Sequence, residues 1–135
     1  EYDIIVMLQP TSPFRRPADV MATIDLLLTG NWDAGWTVSE TDAKSHPLKQ
    51  FTINAGHLDY YDQQGAKIIA RQQLEPVYHR NGVAYAITRS CLLEQKTIKG
   101  LKTGALHLDG YYVNIDTLLD VHLAEFIISQ DEKNI

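Results

Sequence analysis

The sequence has few of the residues on which several classes of protein depend. Cys91 is its only cysteine, so no disulfide can form within the chain, and a reducing compartment such as the cytoplasm is expected. Acidic residues outnumber basic ones by 17 to 12, and the net charge of −5 argues against a nucleic-acid partner. No apolar run approaches the roughly 20 residues that a membrane-spanning helix needs, and the sequence gives no support for secretion, so no membrane partner is expected.

Hydrophobic patterns along the 135 residues alternate between strand and helix periods. The apolar run 3–7 predicts a strand, 34–39 predicts another, and a stripe of Val20, Ile24, Leu27 and Leu28 predicts a helix between them. Strand, helix and strand in this order indicate a parallel unit of an α/β fold. Further predictions are a core strand at 83–88, a short helix at 90–95, an exposed or partner-contacting segment at 97–110, a strand at 111–115, and a final helix with a buried stripe of Leu119, Leu123, Phe126 and Ile127.

The pattern changes in the middle of the chain. Alternating segments at 49–54 and 57–61 are joined by an Ala-Gly pair and predict a β-hairpin. We therefore expect one domain over residues 1–135, with an inserted hairpin region at about 46–73. Such an insertion serves either as an oligomer contact or as a flap over a ligand.

The first predicted strand opens into a polar loop. Gln9, Thr11 and Ser12 follow the strand, and Pro10 and Pro13 restrict the backbone around them. Amide and hydroxyl groups of this kind hydrogen-bond polyhydroxylated substrates, and ligands of open α/β sheets bind beyond the carboxyl ends of strands. The alternative is a proline-rich turn that only ends the strand.

A second group of candidate residues is basic. Lys49, Arg71, His79 and Arg80 could bind an anionic small molecule, because a guanidinium donates paired hydrogen bonds to carboxylates and phosphates. Asn81 could present its amide where a loop meets a strand. The alternative for this segment is a solvated basic loop followed by an Asn-Gly turn.

Two oxygen-bearing residues lie just before the final helix. Asn114 and Asp116 alternate along the predicted strand, so both point to one side, where they could hold Mg²⁺. Asp116 or Thr117 could instead cap the helix. Asp120 lies on the helix, where we expect a structural role.

Four of these segments together resemble a known family. Residues 8–15 read L-Q-P-T-S-P-F-R and are similar to the L-x-P-T-S-P-[LF]-R signature of the acylneuraminate cytidylyltransferases. Residues 46–49 resemble the H-P-[LY]-[KR] of that family, and 71–82 resemble its R-Q-x-L and N-G-[AV]-x-Y motifs. Residues 114–120 read N-I-D-T-L-L-D where the family commonly has D-I-D-T-x-x-D. The resemblance extends over 3–130.

The resemblance implies a three-layer, Rossmann-like fold of the nucleotide-diphospho-sugar transferase type. It also implies an enzyme that transfers CMP from CTP to an acidic sugar and releases pyrophosphate, with Mg²⁺ as cofactor and a homodimer as the usual assembly. Asp116 is the implied metal ligand, whereas Asn114 departs from the family aspartate and supplies only a neutral oxygen. No residue is assigned as general base. The expected substrate-binding residues are Gln9, Thr11, Ser12, Lys49, Arg71, Gln72 and Asn81.

One family segment has no counterpart in the sequence, the nucleotide-binding A-R-x-x-S-K-x-[IL]-x-x-K-N. We therefore expect an N-terminally truncated fold that binds CTP weakly and has little or no activity alone. Two other functions stay open, a non-catalytic sugar-binding or interaction module and a synthetase of the CMP-Kdo type. The R-Q-Q and H-P-L-K motifs favour nine-carbon sugars of the sialic, legionaminic or pseudaminic acid type over Kdo.

Overall fold

The computed structural model describes residues 2–131. The chain forms two compact units, the first made of the residues up to Ser39 and from Arg80 onward, and the second of Glu40–His79. None of the helices in the described range is both long and apolar enough to cross a membrane. The strands are β1 (Ile4–Met7), β2 (Ala34–Glu40), β3 (Phe51–Asn54), β4 (His57–Tyr60), β5 (Tyr78–Thr88) and β6 (Thr103–His107), and the helices are α1 (Pro17–Thr29), α2 (Arg89–Leu93) and α3 (Leu118–Asp131).

The first unit is built on a four-stranded sheet in the order β1-β5-β2-β6. β1 is antiparallel to β5, with Ile4 opposite Thr88, and β2 is parallel to β6, with Ala34 opposite Thr103. The sheet is therefore mixed, and β1 and β2 are not neighbours, although α1 connects them. The prediction of an α/β fold is confirmed at the level of its elements.

β5 is the buried centre of this unit. Every residue from 81 to 87 is buried, as expected of a strand that has a neighbour on each edge and is covered on both faces. Tyr85 belongs to one core cluster with Cys91, and Val83 belongs to a second with Leu108. The predicted core strand is confirmed and is longer than the sequence pattern indicates.

The first turn of α1 contains a buried carboxylate, that of Asp19, which accepts several hydrogen bonds. Asp19 is only 5% exposed and accepts hydrogen bonds from the Arg16 backbone N–H at 3.3 Å and from its Nη2 at 2.9 Å. The Tyr112 hydroxyl donates to the same carboxylate at 3.4 Å. Burial and then the Asp19 charge raise the pKa of Tyr112, so its hydroxyl keeps the proton that it donates. Pro17 at the first helical position presets the backbone angle there.

The predicted buried face of α1 is wrong at one position. Leu27 is buried as predicted, but Leu28 is 65% exposed. Thr23 is buried instead, and its hydroxyl donates to the Asp19 carbonyl oxygen at 2.7 Å. The hydroxyl is satisfied within the helix, so a polar residue can occupy the buried face at little cost.

The predicted buried stripe of α3 is largely wrong. Leu119, Leu123 and Phe126 are 76%, 48% and 59% exposed, whereas Ala124 is buried and Ile127 is half-buried. Apolar residues occur on every side of this helix, so their spacing does not select one face.

The strand predicted at 111–115 is also wrong. That segment has no ladder partner. The second neighbour of β2, besides β5, is β6, which lies inside the segment 97–110 that was expected to be exposed or to contact a partner. The Trp32 ring lies 2.9 Å from where a Cβ on Gly104 would be, so a larger residue there would have to displace the ring. A glycine inside a strand weakens the sequence signal for that strand.

The second unit contains the predicted β-hairpin. β3 and β4 pair antiparallel, with Phe51 opposite Tyr60 and Asn54 opposite His57, so the hairpin prediction is confirmed. Ala55 and Gly56 form the turn with φ of +49° and +83°, the backbone angles that a two-residue hairpin turn with right-handed twist requires. The predicted insertion at about 46–73 lies within this unit.

Replacement of Asp19 by alanine is expected to destabilise the first unit by about 1–3 kcal/mol, because it leaves the Arg16 backbone N–H and the half-buried Tyr112 hydroxyl without this buried acceptor. Asp25→Ala is the control, since Asp25 is an exposed acidic residue on the same helix, where truncation is expected to change the free energy of unfolding by about 0.5 kcal/mol or less. Urea unfolding followed by circular dichroism measures both. Equal stability of the two variants would contradict the role given to Asp19.

Candidate functional site

The polar loop after β1 is fixed to β5 by one arginine. The Arg15 Nε donates to the Val83 carbonyl oxygen at 2.6 Å, and its Nη2 donates to the carbonyl oxygens of Gln9 and Gly82 at 2.5 and 3.4 Å. A guanidinium donates several hydrogen bonds in a fixed plane, so it can fix two backbone segments at once. Arg15 therefore sets the position of the Gln9 backbone relative to the strand.

The Gln9 side chain lies directly over Gly82. The Gln9 Oε1 occupies the space where a Cβ on Gly82 would lie, and the Ser12 Oγ is 2.6 Å from that point. Gly82 also has φ of +75°, which favours glycine. Within residues 2–131 the Gln9 carboxamide has no hydrogen-bond partner, so its donors and acceptor are available to a ligand.

Asn81 and Ser12 are buried, with 3% and 4% exposure. The Asn81 Oδ1 accepts from the Thr37 hydroxyl at 2.6 Å and from the Val83 N–H at 3.2 Å, and its Nδ2 donates to the Ser39 hydroxyl at 3.0 Å. Ser12 donates to the Asn81 carbonyl oxygen at 3.3 Å. Both residues thus hold the loop and the strand together in this structure.

Thr11 connects the loop to the segment before α3. Its hydroxyl donates to the Asn114 Oδ1 at 2.6 Å, and its carbonyl oxygen accepts from the Ile115 N–H at 2.9 Å. The Asn114 Nδ2 donates in turn to the Asp116 Oδ2 at 2.6 Å. The two residues predicted to share one side are in direct contact, although the segment that carries them is not a strand.

Asp120 caps α3. Its Oδ2 accepts from the Thr117 N–H at 2.7 Å, from the Thr117 hydroxyl at 2.8 Å and from the Asp116 N–H at 3.1 Å. The hydrogen bond from the Thr117 hydroxyl and those from the two backbone amides lower the pKa of Asp120. This carboxylate has the structural role that the sequence predicted.

The arrangement offers little to a metal ion by itself. Asn114 turns its nitrogen, not its oxygen, toward Asp116, so the pair does not present two oxygens to one cation. Among residues 2–131 no three side chains of His, Cys, Asp and Glu are grouped as metal ligands. Asp116 alone fits Mg²⁺, in the manner of a cation that takes its remaining ligands from phosphate and water.

The second unit brings Lys49 and Arg71 to one cavity of about 190 Å³. Both side chains are exposed, and neither has a hydrogen-bond partner within the described residues. The walls beside them are mostly apolar and include Phe51, Tyr60 and Ile68. Two cations beside apolar walls suit an organic carboxylate, because the apolar surface lowers the solvation that competes with the ion pair.

Arg71 also lines a second cavity, of about 200 Å³. Glu40, Asp42 and Glu75 line this second cavity, so its electrostatic potential opposes an anion. The cavity with Lys49 is the better candidate for an acidic ligand.

Other residues of this region have structural roles. His46 is buried, its Nδ1 accepts from the Leu48 N–H, and its Nε2 lies 3.1 Å from the Glu75 carbonyl oxygen. Gln73 accepts hydrogen bonds from two backbone amides, whereas Gln72 is exposed and does not line the Lys49 cavity. Arg80, another predicted anion binder, has its guanidinium 5.7 Å from the centre of the Trp36 ring.

The structure therefore groups the predicted site residues unit by unit. The first unit brings together Gln9, Thr11, Ser12, Asn81, Asn114 and Asp116, and the second brings together Lys49 and Arg71. Sequence reasoning missed Arg15 as the residue that fixes the loop, although Arg15 ends the octet. It also missed Thr37 and Ser39, which a strand pattern with hydroxyls at alternate positions could have indicated.

Comparisons with known proteins point in one direction. The CMP-N,N'-diacetyllegionaminic acid synthase of Legionella pneumophila is 25% identical over 135 residues, which are 98% of this chain and 56% of that protein. The post-translational flagellin modification protein B of Campylobacter coli is 23% identical over 137 residues, again 56% of its length. The chain thus spans about half the length of the curated relatives it matches. No model of a known protein family matches it.

The chain is related to the cytidylyltransferases. A solved structure of CMP:2-keto-3-deoxy-manno-octonic acid synthetase complexed with CTP superposes with a TM-score of 0.63 at 16% identity, covering 97% of this chain and 64% of that one. This likeness confirms the predicted fold. The cytidylyltransferase relation also confirms the resemblance carried by the octet 8–15 and the motifs that follow it.

Gly82→Ala is expected to destabilise the first unit by about 2–4 kcal/mol, because the new Cβ is strained by its φ and also collides with Gln9 and Ser12. Gly56→Ala is the matched control. Gly56 has a similar φ of +83° but nothing within 4 Å of a Cβ, so only the backbone strain applies. Thermal unfolding of the two variants tests whether the loop lies this close to Gly82. An equal loss of stability in both variants would contradict it.

Proposed function

We propose that this chain forms the sugar-binding side of an enzyme that transfers CMP from CTP to a nine-carbon acidic sugar. The observation that carries the proposal is the contact between Thr11 of the octet and Asn114 of the N-I-D-T segment, 2.6 Å apart and 103 positions apart in sequence. Motifs that the cytidylyltransferases share thus come together in one place. The legionaminic acid synthase named above supports the class of sugar.

In the proposed reaction the anomeric hydroxyl of the sugar attacks the α-phosphorus of CTP. A new oxygen–phosphorus bond forms, and the bond from the α-phosphorus to the oxygen that bridges to the β-phosphate breaks. Pyrophosphate leaves with that oxygen, and the hydroxyl proton passes to water. In the second unit, Lys49 and Arg71 would bind the carboxylate of an acidic sugar. In the first unit, the Gln9 carboxamide is available to hydrogen-bond hydroxyl groups. Their contribution is orientation of the attacking group, since no residue is assigned as general base.

The buried residues of the site contribute differently in this proposal. Ser12 and Asn81 keep the loop in place for Gln9, and Thr11 does so for the segment with Asp116. Gln72 is exposed beside Arg71 and would contact the sugar only at its periphery. Mg²⁺, when bound with the nucleotide, would neutralise phosphate charge, and Asp116 would be its ligand from this chain.

The cytoplasm is the proposed location, because the reaction uses CTP and the buried free thiol of Cys91 fits a reducing compartment. A second function, a sugar-binding module without catalysis, is favoured by one observation. Asn114 stands where the related enzymes commonly have an acidic residue.

Binding of the acidic sugar tests the proposal directly. N-Acetylneuraminic and N,N'-diacetyllegionaminic acids are expected to bind the chain in saturation-transfer NMR more tightly than Kdo. Arg71→Ala should weaken that binding roughly 10- to 150-fold, the cost of a lost charged hydrogen-bond pair. Lys99→Ala removes the same charge from another exposed position and should leave the affinity unchanged.

The same protein with CTP and MgCl₂ separates the two functions. Sugar-dependent release of pyrophosphate, even if slow, supports the transferase, whereas sugar binding without release supports the module. We expect calorimetry to find CTP binding weaker than micromolar. Sugar binding that Arg71→Ala leaves intact would contradict both functions as assigned here.

We also propose a homodimer formed through the hairpin. Phe51, Ile53, Leu58 and Tyr60 lie on one face of β3 and β4 because they occupy alternate and directly opposed positions. Ile53 is 72% exposed and Leu58 is 57% exposed. An apolar face of this kind on a two-stranded ribbon is typical of a surface that a partner covers.

Light scattering at micromolar concentration is expected to report a dimer for the natural chain. Ile53→Lys should weaken dimerisation at least about tenfold, since it would bury an unpaired charge. Thr52→Lys places the same charge on the polar face of the hairpin, opposite Asp59, and should leave the dimer intact. A monomeric natural chain would count against this assembly.

A further inference from the structure

We propose that Asn114 is a positioning residue for Asp116, and that the Asn114–Asp116 pair therefore does not bind a divalent cation by itself. The proposal deepens the magnesium part of the proposed function and rests on that function for its meaning in catalysis. It is argued from hydrogen bonds between residues of this chain.

The chemistry of the partners fixes the orientation of the Asn114 amide. The Asp116 carboxylate can only accept hydrogen bonds, so at 2.6 Å it must face the amide nitrogen and not the amide oxygen. The oxygen then faces the Thr11 hydroxyl, also at 2.6 Å, and that hydroxyl can donate. Both polar ends of the Asn114 side chain are in use.

A cation held by both residues would have to disrupt this arrangement. It would need the Asn114 oxygen beside the Asp116 carboxylate, which requires the amide to turn over and give up both short hydrogen bonds. In exchange the cation would gain a neutral ligand and no additional charge. Affinity for hard cations depends on the number of charged oxygen ligands, so this exchange is unfavourable.

The next acidic group along the chain does not replace the missing charge. The Asp120 Oδ2 accepts hydrogen bonds from Asp116 and Thr117 at the start of α3. Moving it toward a cation would uncap the helix. Within the described residues, Asp116 is thus left as one charged ligand with an amide donor against it.

Asparagine and aspartate have nearly the same shape, so one substitution tests the inference. Asn114→Asp replaces the amide donor by a second carboxylate, and two adjacent carboxylates are relieved of their repulsion when a divalent cation binds between them. In electron paramagnetic resonance titrations with Mn²⁺ alone, we expect the natural chain to bind no tighter than about 1 mM. Asn114→Asp should bind at least roughly tenfold tighter.

Two further variants complete the experiment. The double variant Asn114→Asp, Asp116→Asn should return to the weak binding of the natural chain, which shows that the gain comes from the pair of carboxylates and not from charge alone. Asp116→Asn in the natural background should change little. This comparison stands even if the Asn114→Asp chain does not fold, and circular dichroism establishes whether it does.

Submillimolar Mn²⁺ binding by the natural chain that Asp116→Asn abolishes would overturn the inference, because Asn114 would then act with Asp116 as a ligand pair. A folded Asn114→Asp chain with unchanged Mn²⁺ affinity would overturn it as well. The titrations contain no nucleotide or sugar. Their outcome is therefore distinct from the failure of the proposed function, which sugar binding and pyrophosphate release decide.

Discussion

The carboxamide of Asn81 is the interaction on which the first unit depends. A buried amide must have partners, because an unpaired polar group in the interior costs about 1–3 kcal/mol. Asn81 finds them in the hydroxyls of Thr37 and Ser39 on β2 and in the Val83 N–H on β5. Thr37 and Ser39 occupy alternate positions on β2, so both hydroxyls can reach the Asn81 side chain. The pairing of β2 with β5 and the position of the octet loop beside Gly82 both follow from this group.

This constraint changes how the site is expected to recognise a sugar. The family resemblance assigns Asn81 to the sugar, whereas here its amide is used inside the sheet, and Ser12 donates to its carbonyl oxygen. The polar group left without a partner in the described residues is the Gln9 carboxamide, which lies over Gly82 on a backbone that Arg15 fixes. A loop whose backbone is already fixed loses less entropy when a ligand binds. We therefore expect the buried residues to keep the site rigid and Gln9 to contact the sugar.

The sequence predicts those parts of the fold in which the hydrophobic and turn patterns indicate a single structure. β5 and the hairpin carry unambiguous strand and turn patterns, and the octet marks the end of β1. α3 has apolar residues on all sides, so no stripe identifies its buried face. β6 contains Gly104, over which the Trp32 ring packs closely, and a glycine weakens the strand pattern. The contact of Thr11 with Asn114 depends on tertiary structure, and only the shared family motifs indicated it.

The charges of the two units suggest separate tasks. The second unit offers Lys49 and Arg71 beside apolar walls, which suits the carboxylate of an acidic sugar. The first unit offers the single carboxylate of Asp116, which suits a cation that neutralises a triphosphate. An asparagine at 114 keeps the shape of the family aspartate but removes one negative charge near the place where phosphates would approach. In the proposed function, the chain would have little cation affinity of its own and would repel the nucleotide less, and the nucleotide would supply most of the ligands of its metal.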